Sequence, residues 1–92
     1  MEKTIFVLLN KATKTWAQIL GDDAPVFRRL HENGQAMAYD ALTACNTHER
    51  TLMARNTVDR CIFLGWLKID ADGVVTVVPG NMLLAIDAKQ AP

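Results

Sequence analysis

The sequence predicts one mainly α-helical domain, about four helices, that closes in a small C-terminal β-hairpin. Three observations carry this. Apolar residues recur at spacings of three and four from Thr4 to Leu20 and again on the segment ending at Leu64, the stripe of an amphipathic helix. Gly65 stops the second of these stripes sharply. Beyond it, Gly65-Trp66-Leu67-Lys68-Ile69 and Val74-Val75-Thr76-Val77-Val78 flank Asp70-Ala71-Asp72-Gly73. Two β-branched and aromatic runs around an Asp/Gly turn are a hairpin signal, because Gly supplies a positive φ. With 92 residues, half of them hydrophobic, the chain suits a single core.

In chain order, the first predicted helix covers residues 1–20, with Ile5, Leu8, Leu9, Ala12, Trp16, Ile19 and Leu20 on its apolar stripe and Gly21 at its end. A strand over Thr4 to Leu9 competes, since β-branched and aromatic residues cluster there. The stripe runs on past Asn10, which favours the helix. Asp22 or Asp23 is expected to cap a second, shorter helix with Pro25 in its first turn and Asn33-Gly34 at its end. Its Val26, Phe27 and Leu30 should face inward, and Arg28, Arg29 and Glu32 outward. Gln35 to Ala38 connects onward, with room for a brief strand against the hairpin.

A helix-turn-helix is expected over residues 39–64. Its first helix runs from Tyr39 to about Cys45, and its second from near Thr47, a capping residue, to Leu64. Ala54, Val58, Cys61, Ile62 and Gly65 make the inner face, so Arg50, Arg55, Asn56, Asp59 and Arg60 lie on the other side. The turn falls either at Asn46-Thr47 or nearer Leu52-Met53. The hairpin covers 65–78 and Pro79-Gly80-Asn81 turns the chain. Met82 to Ile86 then packs back on the domain or pairs with a second copy, and residues 87–92 are expected to fray.

Ten basic and ten acidic residues cancel, where a nucleic-acid binder usually shows a basic excess. Two cysteines are too few for a disulfide framework. The run Ile5 to Leu9 is too short for a secretory leader, and no stretch approaches the roughly 20 apolar residues that span a bilayer. The expectation is a cytoplasmic protein with two reduced thiols and no membrane partner.

Cys45, His48 and Cys61 lack the fourth ligand of a structural zinc, so core thiols, an exposed His48 and no metal or cofactor are expected. His31 sits where a helix terminus favours a cation. Trp16 and Trp66 read as core or dimer-interface residues. No phosphate loop, zinc-protease helix, nucleophile elbow or dinucleotide glycine motif occurs, and serine is absent, so the sequence reads as non-enzymatic.

The residues Tyr39-Asp40-Ala41-Leu42, Ala54-Arg55-Asn56-Thr57-Val58-Asp59-Arg60, Leu64-Gly65-Trp66-Leu67 and the hairpin ending in Val74 to Val78 resemble the winged helix-turn-helix superfamily of prokaryotic DNA-binding proteins. Within it, Val77-Val78-Pro79-Gly80-Asn81-Met82-Leu83 is similar to plasmid and phage replication or copy-control proteins. The resemblance covers a little under half the chain. It implies a sequence-specific regulator of phage, plasmid or bacterial origin, with the helix ending at Leu64 in the major groove of double-stranded DNA. Arg55 and Asn56 would then read bases, and Arg50, Thr51, Arg60 and the hairpin's Lys68 would meet phosphates. A homodimer would supply two half-sites, its contact made by the first helix and Met82 to Ile86. Asp70 and Asp72 depart from the pattern, since acids at a hairpin tip repel phosphate. That departure and the zero net charge raise a second expectation: a module of the same fold that meets a protein, as an adaptor or phage-type inhibitor, and does not bind DNA.

Overall fold

Residues 4–19 and 23–87 are described in the computed structural model, and their first element corrects the expected fold class. The stretch assigned to an N-terminal helix is a hairpin of two strands, β1 (Thr4–Asn10) and β2 (Thr15–Ile19). Asn10 makes the turn. Its Oδ1 accepts from the amides of Ala12 (3.0 Å) and Thr13 (3.1 Å), and Lys14 takes a φ of 56°. A side chain that satisfies two backbone donors in this way ends a strand as firmly as a glycine does. Ile5, Phe6, Val7 and Leu8 are consecutively buried. A strand buried on both faces has no polar–apolar alternation, so its periodicity is indistinguishable from that of a helix.

The remaining elements are α1 (Ala24–Glu32), β3 (Ala36–Ala38), α2 (Tyr39–Thr43), α3 (His48–Phe63), β4 (Leu67–Ile69), β5 (Val74–Val77) and β6 (Asn81–Asp87). The architecture is therefore α+β, with three helices and six strands among the described residues, and not mainly α. One sheet has the order β2-β1-β6 and the other β3-β5-β4. The segment Met82 to Ile86 is engaged within its own chain: β6 runs antiparallel to β1 from Thr4↔Asp87 to Asn10↔Asn81. The helical N-terminal surface expected to make a dimer contact therefore does not exist, and Met82 to Ile86 packs back on its own domain, one of its two expected outcomes. The expected frayed tail lies, beyond Asp87, outside the described residues, as do Leu20 to Asp22.

Both longer helices stop by the same device. At the end of α1, Gln35 N–H donates to Leu30 C=O (2.8 Å) and Gly34 N–H to His31 C=O (3.3 Å). At the end of α3, Trp66 N–H donates to Cys61 C=O (2.9 Å) and Gly65 N–H to Ile62 C=O (3.1 Å), with Gly65 at φ 84°. This paired pattern satisfies the terminal carbonyls and needs a residue that tolerates positive φ. The start of α3 is equally well defined. Thr47 Oγ1 accepts from Arg50 N–H at 3.1 Å, which places the turn at Asn46-Thr47 and leaves Leu52-Met53 inside the helix.

A single core joins the two sheets to the helices. Phe6 and Leu8 of β1, Val26, Phe27 and Leu30 of α1, Leu42 of α2, Val58 of α3, Leu67, Val75 and Leu83 all belong to it. The sheets are also tied through polar contacts: Gln35 Nε2 donates to Leu83 C=O (3.2 Å) and Asn81 Nδ2 to Gly65 C=O (3.2 Å). No helix among the described residues is long and apolar enough to cross a membrane.

Candidate interaction surface

The sixteen residues of α3 divide by helical geometry into two unlike faces. Ala54, Thr57, Val58 and Cys61 are buried against the core. At about 100° per residue, Leu52, Asn56, Asp59 and Phe63 fall within about 60° of arc on the opposite side. All four are exposed, and Phe63 is 89% exposed. Met53 (47%) and Leu64 (60%) widen the apolar part of this surface. Of the expected inner residues, Ile62 is half-buried and Gly65 is exposed.

The residues expected to meet DNA do not converge. Arg50 lies at the mouth of a cleft of about 620 Å³ between α1 and the start of α3, beside Arg29, Glu49 and Met53. Arg55 lies on the other flank of α3, close enough to Tyr39 for its charge to favour the phenolate. Neither guanidinium has a hydrogen-bond or ion-pair partner among the described residues. Asn56 is exposed next to Arg55. Thr51 is half-buried and its hydroxyl is used twice, accepting from Cys45 N–H (3.2 Å) and donating to Thr47 C=O (3.0 Å). Arg60 pairs with Asp23 at 3.3 Å. Lys68 is exposed on β4, away from the α3 row in sequence but on the adjoining hairpin.

Asp23 has a different role from the capping one the sequence suggested. It occupies the position before α1 but makes no capping hydrogen bond. Its Oδ1 accepts from the Thr57 hydroxyl (2.6 Å) while Oδ2 meets Arg60, so the carboxylate ties α3 to the start of α1. Arg29, expected to face outward, is half-buried and donates to the carbonyls of Leu42 (3.1 Å) and Ala44 (2.5 Å), holding the end of α2. These anchors escaped a pattern reading because local spacing gives a capping acid and an exposed arginine the same signature as a tertiary tie.

The hairpin contributes structure and an apolar wall. Asp70 Oδ1 accepts from Asp72 N–H (2.9 Å) and Val74 N–H (3.0 Å), and Gly73 has a φ of 80°, so Asp70 builds the turn. Ile69, 43% exposed, lines an open cleft of about 470 Å³ with Tyr39, Asp59, Ile62 and Phe63. At its rim Tyr39 donates its hydroxyl to Asp59 Oδ1 (2.9 Å). Burial, and then this hydrogen bond, push the Tyr39 phenol above its ordinary value. Burial likewise raises the Cys61 thiol, against the opposing pull of Arg60. That keeps Cys61 protonated and a poor nucleophile at neutral pH. Cys45 and Cys61 are both free, and no group of three metal-ligating side chains gathers among the described residues.

The exposed hydrophobics Leu52, Met53, Phe63 and Leu64 are the feature that sequence reasoning missed. A signal was present. Once the small residues Ala54, Thr57, Val58 and Cys61 define the inner face, Leu52 and Phe63 fall opposite it and must face solvent. Comparison with family models, with curated proteins and with solved structures finds no match.

Proposed function

We propose that residues 24–77 form a winged-helix unit whose helix α3 and hairpin dock a protein, without reading DNA. The element order α1-β3-α2-α3-β4-β5 and the sheet order β3-β5-β4 support the winged-helix reading. The observation that carries the docking reading is the composition of the outward row, Leu52-Asn56-Asp59-Phe63. Phosphate binding favours a continuous positive field. This face instead has Leu52 and Phe63 at the ends of a row whose middle is Asn56 and Asp59, Glu49 adds a second carboxylate, and the two unpaired arginines stand on opposite flanks. Exposed apolar surface edged by polar groups, as Phe63 and Ile69 make around the cleft beside Tyr39 and Asp59, is the mark of a protein-binding site. The free thiols support placement in a reducing compartment such as the cytoplasm.

DNA binding is the second reading, supported by Arg55 and Asn56, which are adjacent and exposed near the middle of α3. A duplex-binding series over a range of salt separates the two. The docking reading expects only weak binding at low salt, unaltered in Arg55→Ala. Tight binding that falls steeply with salt and is lost in Arg55→Ala would overturn it.

A further inference from the structure

We propose that the occupant of the α3 face is a second copy of this chain, seated with the two α3 helices antiparallel across a two-fold axis. This deepens the docking reading and rests on it. The spacing of the row is its first support. Leu52, Asn56, Asp59 and Phe63 are separated by four, three and four residues, an arrangement that reads the same in both directions and matches the alternation of a two-helix seam. An isologous contact requires such self-complementarity, because each residue must suit its counterpart in both halves at once.

With the axis passing between Thr57 and Val58, Leu52 faces the second copy's Phe63, and Asn56 faces the second copy's Asp59. Leu52 then enters the cleft that Phe63, Ile62, Tyr39 and Ile69 line. Charge is complementary in the same register. Arg55, one residue before Asn56, reaches the second copy's Asp59. Asp59 Oδ1 is committed to Tyr39, and Oδ2 makes no hydrogen bond among the described residues. The formal net charge of +0 removes the general repulsion that two copies of a charged chain would meet. A dimer of this geometry covers the outward face of α3, so it excludes major-groove reading by the same residues.

A charge-swap experiment tests this by light scattering on the purified 92-residue chain. The wild type is expected at twice the single-chain mass. Arg55→Asp alone sets Asp against Asp59 across the axis, and Asp59→Arg alone sets Arg against Arg55, so each is expected at the single-chain mass. An equimolar mixture of the two variants restores opposite charges at both contacts and is expected to return to twice the single-chain mass. A folding defect in either variant could not produce that recovery. Phe63→Glu, at an 89% exposed position, is expected at the single-chain mass with the circular-dichroism spectrum of the folded chain retained. A wild type at single-chain mass, single variants that remain dimeric, or a mixture that stays at single-chain mass would each overturn the proposal. Duplex titration of the same preparations separates the two levels. A single-chain wild type that ignores duplex removes only the second copy, whereas one that binds duplex with a steep salt dependence removes the docking reading as well.

Discussion

The two faces of α3 differ in a way that ordinary amphipathicity does not describe. The inner face is built from small side chains, Ala54, Thr57, Val58 and Cys61, which let the helix approach the core closely. The larger apolar residues, Leu52, Met53 and Phe63, are on the outside. A helix serving only its own domain would place its largest hydrophobics inward, because burial stabilises by roughly 25 cal/mol per Å² of apolar surface. The reversal leaves the largest side chains of α3 in solvent while its small ones complete the core. The inner side adds a polar tie, from Thr57 to Asp23, which Arg60 joins from the exposed flank. Among the described residues, the outer row has only the Tyr39–Asp59 hydrogen bond between side chains.

Substitutions ranked by expected cost to the isolated domain sharpen that contrast. Val58→Asp places an unpaired charge at a fully buried position and is expected to cost at least about 3 kcal/mol. Urea denaturation should show it largely unfolded, and a native-like midpoint would refute the assignment of the inner face. Asp23→Ala removes the acceptor shared by Thr57 and Arg60. The Thr57 hydroxyl keeps Met53 C=O at 3.1 Å, so a loss of about 1 kcal/mol is expected by the same method.

Alkaline pH probes the boundary between the faces. Tyr39 and Cys61 both have folded-state values raised above the ordinary 10.0 and 9.0. The folded protein therefore holds these protons more tightly than the unfolded chain does. Their contribution is complete below the ordinary values and is lost as pH rises through the raised ones. Melting temperature is expected to fall through this alkaline window, and less so in Asp59→Asn, which weakens the second cause at Tyr39. A flat profile would contradict the burial of both groups. Arg60→Ala breaks an exposed pair and should change stability by less than about 1 kcal/mol. Phe63→Ser should change it least, within about 0.5 kcal/mol, because the side chain leaves no cavity.

The parts legible in the sequence were those set by local backbone chemistry. Thr47 caps α3, Gly65 ends it, and Asp70 with Gly73 turns the hairpin. Each of these residues acts on neighbours two to four positions away, which is the range a sequence pattern reports. The first strand was legible only as the competing reading over Thr4 to Leu9, because β1 is the central strand of its sheet and Ile5 to Leu8 are buried one after another. Its continuous apolar run carried no alternation, and Asn10 was passed over as a turn signal. On α3, the exposure of Arg55 and Asn56 agrees with the pattern reading, whereas Arg50 borders the cleft against α1. Their neighbours' commitments were not legible, since Asp23 and Arg60 meet across 37 residues of sequence. Phe63 was overlooked because an apolar residue near the end of a helix is ordinarily taken for core.

The most direct test of the account follows backbone amide shifts in nitrogen–proton correlation spectra as the wild-type concentration is raised. The account predicts changes that map onto Leu52, Asn56, Asp59 and Phe63 and spread to Tyr39 and Ile69 around the cleft. Changes confined to β2 or another edge, or spectra that do not respond to concentration in a wild type at the single-chain mass, would contradict a second copy seated on α3.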